Sequence, residues 1–167
     1  MGQLTCLGME KLTDYLNDHL AGSVGALELL DRMVEACSGK PLERFFRDLR
    51  DDVREDQEQL KGLIEKLGKS ESTVRKAGAW VAEKLTRPRI DPGDGSQEEV
   101  GVFLALEAIV LGITGKRSLW RALHAASKTV PALARLDYSG LEKRAIEQCE
   151  RVEARRLEIA RVVFQGE

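Results

Sequence analysis

The stretch VGVFLALEAIVLGITG, residues 100–115, is apolar almost throughout and holds one charged residue, Glu107. It is too short to cross a bilayer, which needs roughly 20 apolar residues, and its glycines and Glu107 also argue against a membrane partner. A helix that is apolar nearly all round is instead covered on every side within a folded protein. The stretch therefore predicts a central helix, in which the carboxylate of Glu107 needs a partner.

The composition of the 167-residue chain favours one helical domain, residues 1–167. Leu, Ala, Glu, Arg and Lys dominate, and no alternating Val, Ile, Thr and Tyr runs typical of strands occur. A chain of this length can bury well over half of its unfolded surface without a disulfide or a metal. The net charge is only −2 with both signs interspersed, so we expect no nucleic-acid partner.

The cysteines and the first residues indicate a reducing compartment. Cys6, Cys37 and Cys149 are odd in number and lack the spacing of metal ligands. Residues 1–16 lack the basic and then apolar pattern that is typical of a signal peptide. We therefore expect a cytoplasmic location, where thiols stay reduced.

Apolar residues recur at helical spacing in four long segments of the chain. We predict helices over residues 10–37, 41–67, 96–126 and 139–164. Gly39 suits the C-terminal cap of the first helix, and Pro41 suits the first turn of the second. A shorter helix over residues 72–86 is predicted between the second and third long helices, followed by a loop rich in Pro, Gly and Asp.

This order of segments gives two helical hairpins joined by one long connection, as in ferritin-like folds and unlike simple up-and-down bundles. In helix lengths and connectivity, nearly the whole chain resembles the ferritin-like superfamily. The resemblance implies an all-α antiparallel four-helix bundle whose long crossover contains the short helix. It also implies two iron or manganese ions, held by a Glu from the first and third helices and by Glu-x-x-His pairs from the second and fourth.

The Glu-x-x-His pairs of that family are missing from this sequence. Neither histidine, His19 or His124, follows Glu-x-x. REDQEQL (54–60) and IEQCERV (146–152) stand where the pairs would fall, and their glutamates point away from the apolar stripes on a helical wheel. Glu28 of the first helix points outward as well. The resemblance therefore implies a bundle whose dinuclear site has been lost or rebuilt.

A few polar residues fall on the apolar faces, where an unpaired charge would cost several kcal/mol. We take each helix midpoint as the bundle midplane, with the second and third helices parallel. His19, Asp56 and Gln148 then lie within about one helical turn, roughly 5 Å, of one another. We expect these three side chains to form one polar cluster, with Ser23 as a fourth candidate member.

Glu107 falls on the other side of the midplane, level with Arg156 of the fourth helix. We expect a buried, bidentate ion pair between them, which would explain how the most apolar helix tolerates a carboxylate. His19, Asp56, Glu107 and Gln148 are also the candidate metal ligands. Two carboxylates and one histidine could bind a single ion weakly, but they could not bind a ferritin-type pair.

The third helix also suggests an association surface. Its outermost strip is predicted to carry the small residues Gly101, Ala105, Ala108 and Gly112, which permit close approach of another helix. We expect either docking of residues 72–86 on this strip or a twofold homodimer through it.

Three functions stay open at this point. The first is a non-catalytic, ferritin-like bundle without a cofactor, which acts through association with itself or with a helical partner. The second is an iron- or manganese-binding oxidoreductase or storage protein with a non-standard site built on Glu107, Asp56 and His19. A third option is a small-ligand pocket between the hairpins, near Ser23 and Thr114.

Overall fold

The computed structural model describes residues 6–68 and 95–165, and within these ranges the protein is all-helical. Four long helices are present: α1 (Cys6–Ala36), α2 (Leu42–Lys66), α3 (Gly95–Ser127) and α4 (Tyr138–Val163). A 3-10 helix, Pro131–Leu133, lies between α3 and α4. The prediction of an all-α protein with four long helices is confirmed, whereas the helix predicted over residues 72–86 lies outside the described residues.

The helix ends agree with the predicted ones except at the start of α1. Three helices begin and end within one residue of prediction, but α1 begins at Cys6 instead of residue 10. Leu7 is largely exposed, so the first turn adds nothing to the apolar stripe from which the boundary was predicted. Gly39 adopts a φ of 75° just after α1, a conformation that glycine reaches without steric cost.

α1 and α2 form an antiparallel hairpin. Arg50 Nη1 lies 3.3 Å from Asp31 Oδ1. Gln57 Nε2 donates a hydrogen bond of 2.9 Å to Ser23 Oγ. The contacts move forward along α2 as they move backward along α1, so the two helices run in opposite directions.

α3 and α4 form a second antiparallel hairpin. Arg117 Nε lies 3.2 Å from Glu142 Oε1, and the rings of Phe103 and Phe164 meet edge to face with centroids 5.5 Å apart. The turn between the helices is fixed by the hydroxyl of Tyr138, which donates 2.7 Å to the carbonyl of Leu133.

α2 and α3 run in the same direction. Lys40, just before α2, pairs with Glu98 in the first turn of α3, and Asp56 pairs with Lys116 further along both helices. This parallel arrangement agrees with the orientation expected for a long crossover. The crossover itself lies outside the described residues.

One strip of α3 is exposed in the single chain, so the expectation that residues 72–86 or a second copy cover this helix stays a prediction. Val100, Leu104 and Leu111 are 41%, 47% and 68% exposed. The predicted outermost strip of small residues is wrong in part, because Gly101 and Ala105 are buried. These two residues face the neighbouring helices, so the larger side chains at positions 100, 104, 107 and 111, which share the opposite face of the helix, point to solvent.

The depth of burial along α3 predicts unequal costs for equal truncations. Leu106→Ala removes a fully buried side chain (0% exposed) and should lower the free energy of unfolding by about 2–5 kcal/mol. Leu104→Ala should cost less than about 1 kcal/mol, because that side chain already contacts water. Urea unfolding of both variants measures the difference. Equal losses of unfolding free energy would contradict the orientation of α3 in which Leu106 is buried and Leu104 is exposed.

Candidate functional site

A buried polar cluster lies where α2, α3 and α4 meet. The side chains of Asp56 and Lys116 are 4% and 15% exposed, and Lys116 Nζ donates to Asp56 Oδ2. The same ammonium donates to Gln148 Oε1. Gln148 Nε2 in turn donates 2.9 Å to Asp56 Oδ2. The three side chains therefore close a ring of hydrogen bonds inside the bundle.

Arg144 of α4 reaches the same carboxylate. Its Nε lies 3.1 Å from Asp56 Oδ1. Its Nη2 bonds to Glu55 Oε2 and donates 3.2 Å to the carbonyl oxygen of Asp52. Asp56 is thus neutralised by two cations, and the second cation is itself balanced by carboxylates nearer the surface. This arrangement meets the general requirement that a buried charge be paired and hydrogen-bonded.

The ammonium of Lys116 is largely shielded from water, and this shielding changes its acidity. Burial lowers the pKa of Lys116 below the ordinary lysine value, because removal of the charged form from water outweighs the attraction of Asp56. The positive charge of Arg144 acts in the same direction. A lysine in such a setting releases its proton more readily than a surface lysine does.

A cavity of about 480 Å³ adjoins this cluster between α1, α2 and α3. Its volume falls within the range of roughly 300–1,000 Å³ that is typical of small-molecule sites. Its polar wall includes Ser23, Asp56, Gln57 and Lys116. Most of the remaining wall is aliphatic, and its buried side chains are Leu29, Leu30, Val53, Leu60, Ile109, Ile113 and Leu119.

The cavity reaches solvent along the cleft between α1 and α3. The lining residues Tyr15, Asp18, Leu111 and Gly112 are exposed, whereas those nearer the bundle axis are buried. Glycines also keep this cleft wide. A Cβ atom built at Gly22, Gly112 or Gly115 would meet no neighbouring atom within 4 Å. The cleft therefore offers an open path into the apolar interior.

Trp120 lines the cavity and carries an unsatisfied hydrogen-bond donor. The residue is 1% exposed, and its indole Nε1 has no hydrogen-bond partner among the described residues. A buried indole N–H usually finds a partner, and an unmet donor costs about 1–3 kcal/mol. The nitrogen itself has almost no exposed surface, so it does not open onto the cavity.

His19 adds an imidazole ring to the polar part of the cavity wall. Its ring meets the ring of Tyr15 edge to face, with centroids 4.7 Å apart. Burial lowers the pKa of His19, while the nearby charge of Asp18 opposes this effect. The imidazole is consequently neutral at pH 7 and offers one donor and one acceptor.

The structure brings together only part of the predicted polar cluster. Asp56 and Gln148 are in contact, but His19 forms no hydrogen bond with either of them. It lines the same cavity as Asp56 from α1. Ser23 does not join the cluster either, because its hydroxyl donates a hydrogen bond of 2.6 Å to the carbonyl of Leu20 and accepts one from Gln57.

Glu107 contacts Arg156 as predicted, but the buried, bidentate geometry is wrong. Arg156 Nη1 lies 3.7 Å from Glu107 Oε2, and the Glu107 side chain is 50% exposed. Arg156 is held more closely by Glu153, at 2.6 Å. Glu107 is tolerated in an apolar stretch because it lies on the exposed face of α3, where water solvates its carboxylate.

The described residues do not assemble a ferritin-like set of metal ligands. Within residues 6–68 and 95–165, no group of three or more His, Cys, Asp or Glu side chains is arranged to hold a metal ion. Among the candidate ligands, Asp56 is engaged by two cations, and Glu107 lies apart on the surface of α3. His19 and Gln148 are not acidic, so these candidates give Asp56 no second carboxylate ligand.

Sequence reasoning missed Lys116, Arg144 and Gln57. A signal for Lys116 was present: it follows Ile113 by three residues and precedes Trp120 by four, so it occupies the buried stripe of α3.

Comparison with known proteins does not identify this chain: no family model, curated protein or solved structure matches it. In the part of the chain that the structure describes, no helix is both long enough and apolar enough to cross a membrane. Fold and site together define a class, namely an all-α protein of four long helices with an apolar cavity beside a buried ion-pair cluster.

The ring of Asp56, Lys116 and Gln148 predicts that removing one member destabilises the protein more than replacing all three by apolar side chains. Asp56→Leu leaves the Lys116 ammonium without its counter-ion and the Gln148 amide nitrogen without its acceptor, and it should cost about 3–5 kcal/mol of unfolding free energy. The triple variant Asp56→Leu, Lys116→Met, Gln148→Leu replaces all three groups by apolar side chains and should lose much less. Denaturant unfolding compares the two variants.

The dependence on pH provides the control. In Asp56→Leu the pKa of Lys116 falls further, so between that value and the ordinary lysine value the unfolded state binds more protons than the folded state. The stability of this variant should therefore rise with pH across that window, and the triple variant should lack this rise. A single variant as stable as the triple variant would show that the ring is not buried.

Proposed function

We propose that the protein binds a small, largely apolar molecule in the cavity between α1, α2 and α3. The observation that carries this proposal is a cavity of about 480 Å³ whose mostly aliphatic wall includes the polar side chains of His19, Ser23 and Lys116. Sites for small molecules combine apolar walls with a few polar groups that orient the ligand. This cavity has that composition, and it coincides in part with the pocket expected near Ser23.

The charges around the cavity favour a ligand without a strong net charge. Lys116 and Asp56 neutralise each other, and burial keeps His19 in its neutral form. His19 can donate one hydrogen bond and accept one. We therefore propose a ligand with an apolar body and at least one acceptor oxygen or nitrogen.

We also propose the ferritin-like superfamily as the fold class, with a crossover helix over residues 72–86. The parallel direction of α2 and α3 supports this, because parallel neighbours in chain order require a connection along the length of the bundle. A cytoplasmic location is likewise a proposal. It is supported by Cys37 and Cys149, which are free thiols.

A second candidate function is association of the chain with itself as a twofold homodimer. The observation that favours it is the α3 strip, which we define as Val100, Leu104, Glu107 and Leu111. Exposed apolar side chains that share one helix face are typical of protein interfaces. Burial of this strip against a second copy would cover three large apolar side chains that are now exposed.

Iron or manganese binding at His19, Asp56, Glu107 and Gln148 stays a prediction. Its main obstacle is the pairing of Asp56 with Lys116 and Arg144, which a metal ion would have to displace. Elemental analysis of the purified protein distinguishes this alternative from the binding of an organic ligand.

Filling the cavity should abolish ligand binding without unfolding the protein. Gly115→Leu places a side chain in open space on the cavity wall. It should weaken binding of the fluorescent apolar probe N-phenyl-1-naphthylamine at least about tenfold, which corresponds to about 1.4 kcal/mol. Helix propensity improves by up to about 1 kcal/mol when glycine is replaced, so folding should be preserved.

Gly62→Leu is the matched control, because Gly62 is also a helical glycine with open space around it but does not line the cavity. This variant should bind the probe as the wild type does. Unchanged binding in Gly115→Leu, or equal losses in both variants, would count against the cavity as the binding site.

Self-association can be tested on α3 alone. Leu104→Glu places a charge in the proposed interface and should raise the dimer dissociation constant at least about tenfold. Leu157→Glu on α4 changes a side chain of the same exposure, 47%, outside the α3 strip and should leave the constant unchanged. Light scattering over a concentration series measures it. A wild-type monomer at all concentrations would rule out the homodimer.

A further inference from the structure

We propose that Lys116 captures ligands covalently, by forming an imine between its Nζ and the carbonyl carbon of an aldehyde that occupies the cavity. This inference rests on the proposed function, because the aldehyde must first enter the space between α1, α2 and α3. It narrows the ligand class to apolar molecules with a carbonyl group.

The position of Lys116 provides the first argument. The side chain lines the cavity and is held in one place by Asp56 and Gln148. A bound aldehyde would therefore meet the amine at high effective concentration and in a restricted geometry. The cleft beside Tyr15 and Leu111 gives such a molecule a path from solvent.

The reaction balances without an oxidant or a reductant. The neutral amine attacks the carbonyl carbon, and the oxygen takes up a proton, which gives a carbinolamine. The nitrogen lone pair then forms the C=N bond while the hydroxyl group leaves as water after protonation. In sum, the lysine ammonium and the aldehyde give a protonated imine and one water molecule.

Asp56 provides the second argument, because it is already placed as the counter-ion of the product. A protonated imine keeps one N–H and one positive charge. It can donate that N–H to Asp56 Oδ2, the atom that now accepts from Lys116. The buried site thus holds the same net charge before and after the reaction. Arg144 keeps the other oxygen of Asp56 in place, with its Nε at 3.1 Å.

The burial of Lys116 also favours reaction at this lysine over reaction at exposed lysines. Burial lowers the pKa of Lys116, so a larger fraction of this amine is neutral and nucleophilic at pH 7. Lys143 on α4 is a suitable contrast, because its side chain is 79% exposed and pairs with Glu147 at the surface.

Reductive trapping of the full-length chain tests the inference. The protein is incubated with 2-naphthaldehyde and sodium cyanoborohydride, which reduces an imine to a stable secondary amine. Peptide mass spectrometry then measures labelling at each lysine. We expect Lys116 to be labelled at least about tenfold faster than Lys143, because the cavity holds the aldehyde beside this amine at high effective concentration. Lys116→Arg should lose this fast phase and keep the slow surface labelling.

2-Naphthalenemethanol has the same apolar body but cannot form an imine. Its binding therefore tests the cavity as a binding site separately from imine formation at Lys116. Displacement of N-phenyl-1-naphthylamine by the alcohol, together with labelling of Lys116 no faster than that of Lys143, would overturn the imine and leave the apolar site standing. If neither the probe nor the alcohol binds, the proposed function fails as well. Fast labelling of Lys116 in wild type that Gly115→Leu suppresses supports both.

Discussion

The pairing of Asp56 with Lys116 is the interaction on which the rest of the structure depends. It connects α2 to α3, two helices that are far apart in sequence and run in the same direction. Gln148 and Arg144 add α4 to the same carboxylate. Because a buried ion pair gains little net energy over apolar packing but penalises every arrangement that separates the charges, the cluster acts mainly on specificity. It selects one register of three helices out of many that their apolar stripes would allow.

The cavity follows from the same arrangement. Long aliphatic side chains of α1, α2 and α3 fill the bundle near its axis, while glycines on α1 and α3 leave space between these two helices. The polar cluster therefore lies between the packed core and the cavity. The ammonium of Lys116 lies at this boundary. It is held by two acceptors, is largely shielded from bulk water and still lines the cavity.

The sequence was sufficient for the helices and for part of the site, and the reasons are physical. Helix bounds depend on local periodicity, so α2, α3 and α4 could be predicted to within one residue. Asp56 and Gln148 could be paired because both interrupt apolar stripes at one level of the bundle. Lys116 interrupts a stripe as well, but its long side chain can reach either water or the interior, and the wheel position does not decide between them. A pocket near Ser23 and Thr114 could be proposed from the sequence, but its volume and lining could not, because they depend on how closely three helices approach one another.

The cluster joins α2, α3 and α4 and does not include α1. Among the residues that the structure describes, polar contacts between α1 and α2 include the hydrogen bond from Gln57 to Ser23 and the ion pair between Asp31 and Arg50. The α1 helix nevertheless forms one whole side of the cavity. α1 is held in place mainly by apolar packing, through core residues such as Leu16, Leu20 and Leu30, whereas α2, α3 and α4 are also joined by buried charges. The α1 side of the cavity therefore depends on the hydrophobic effect, and the end at Lys116 depends on electrostatics.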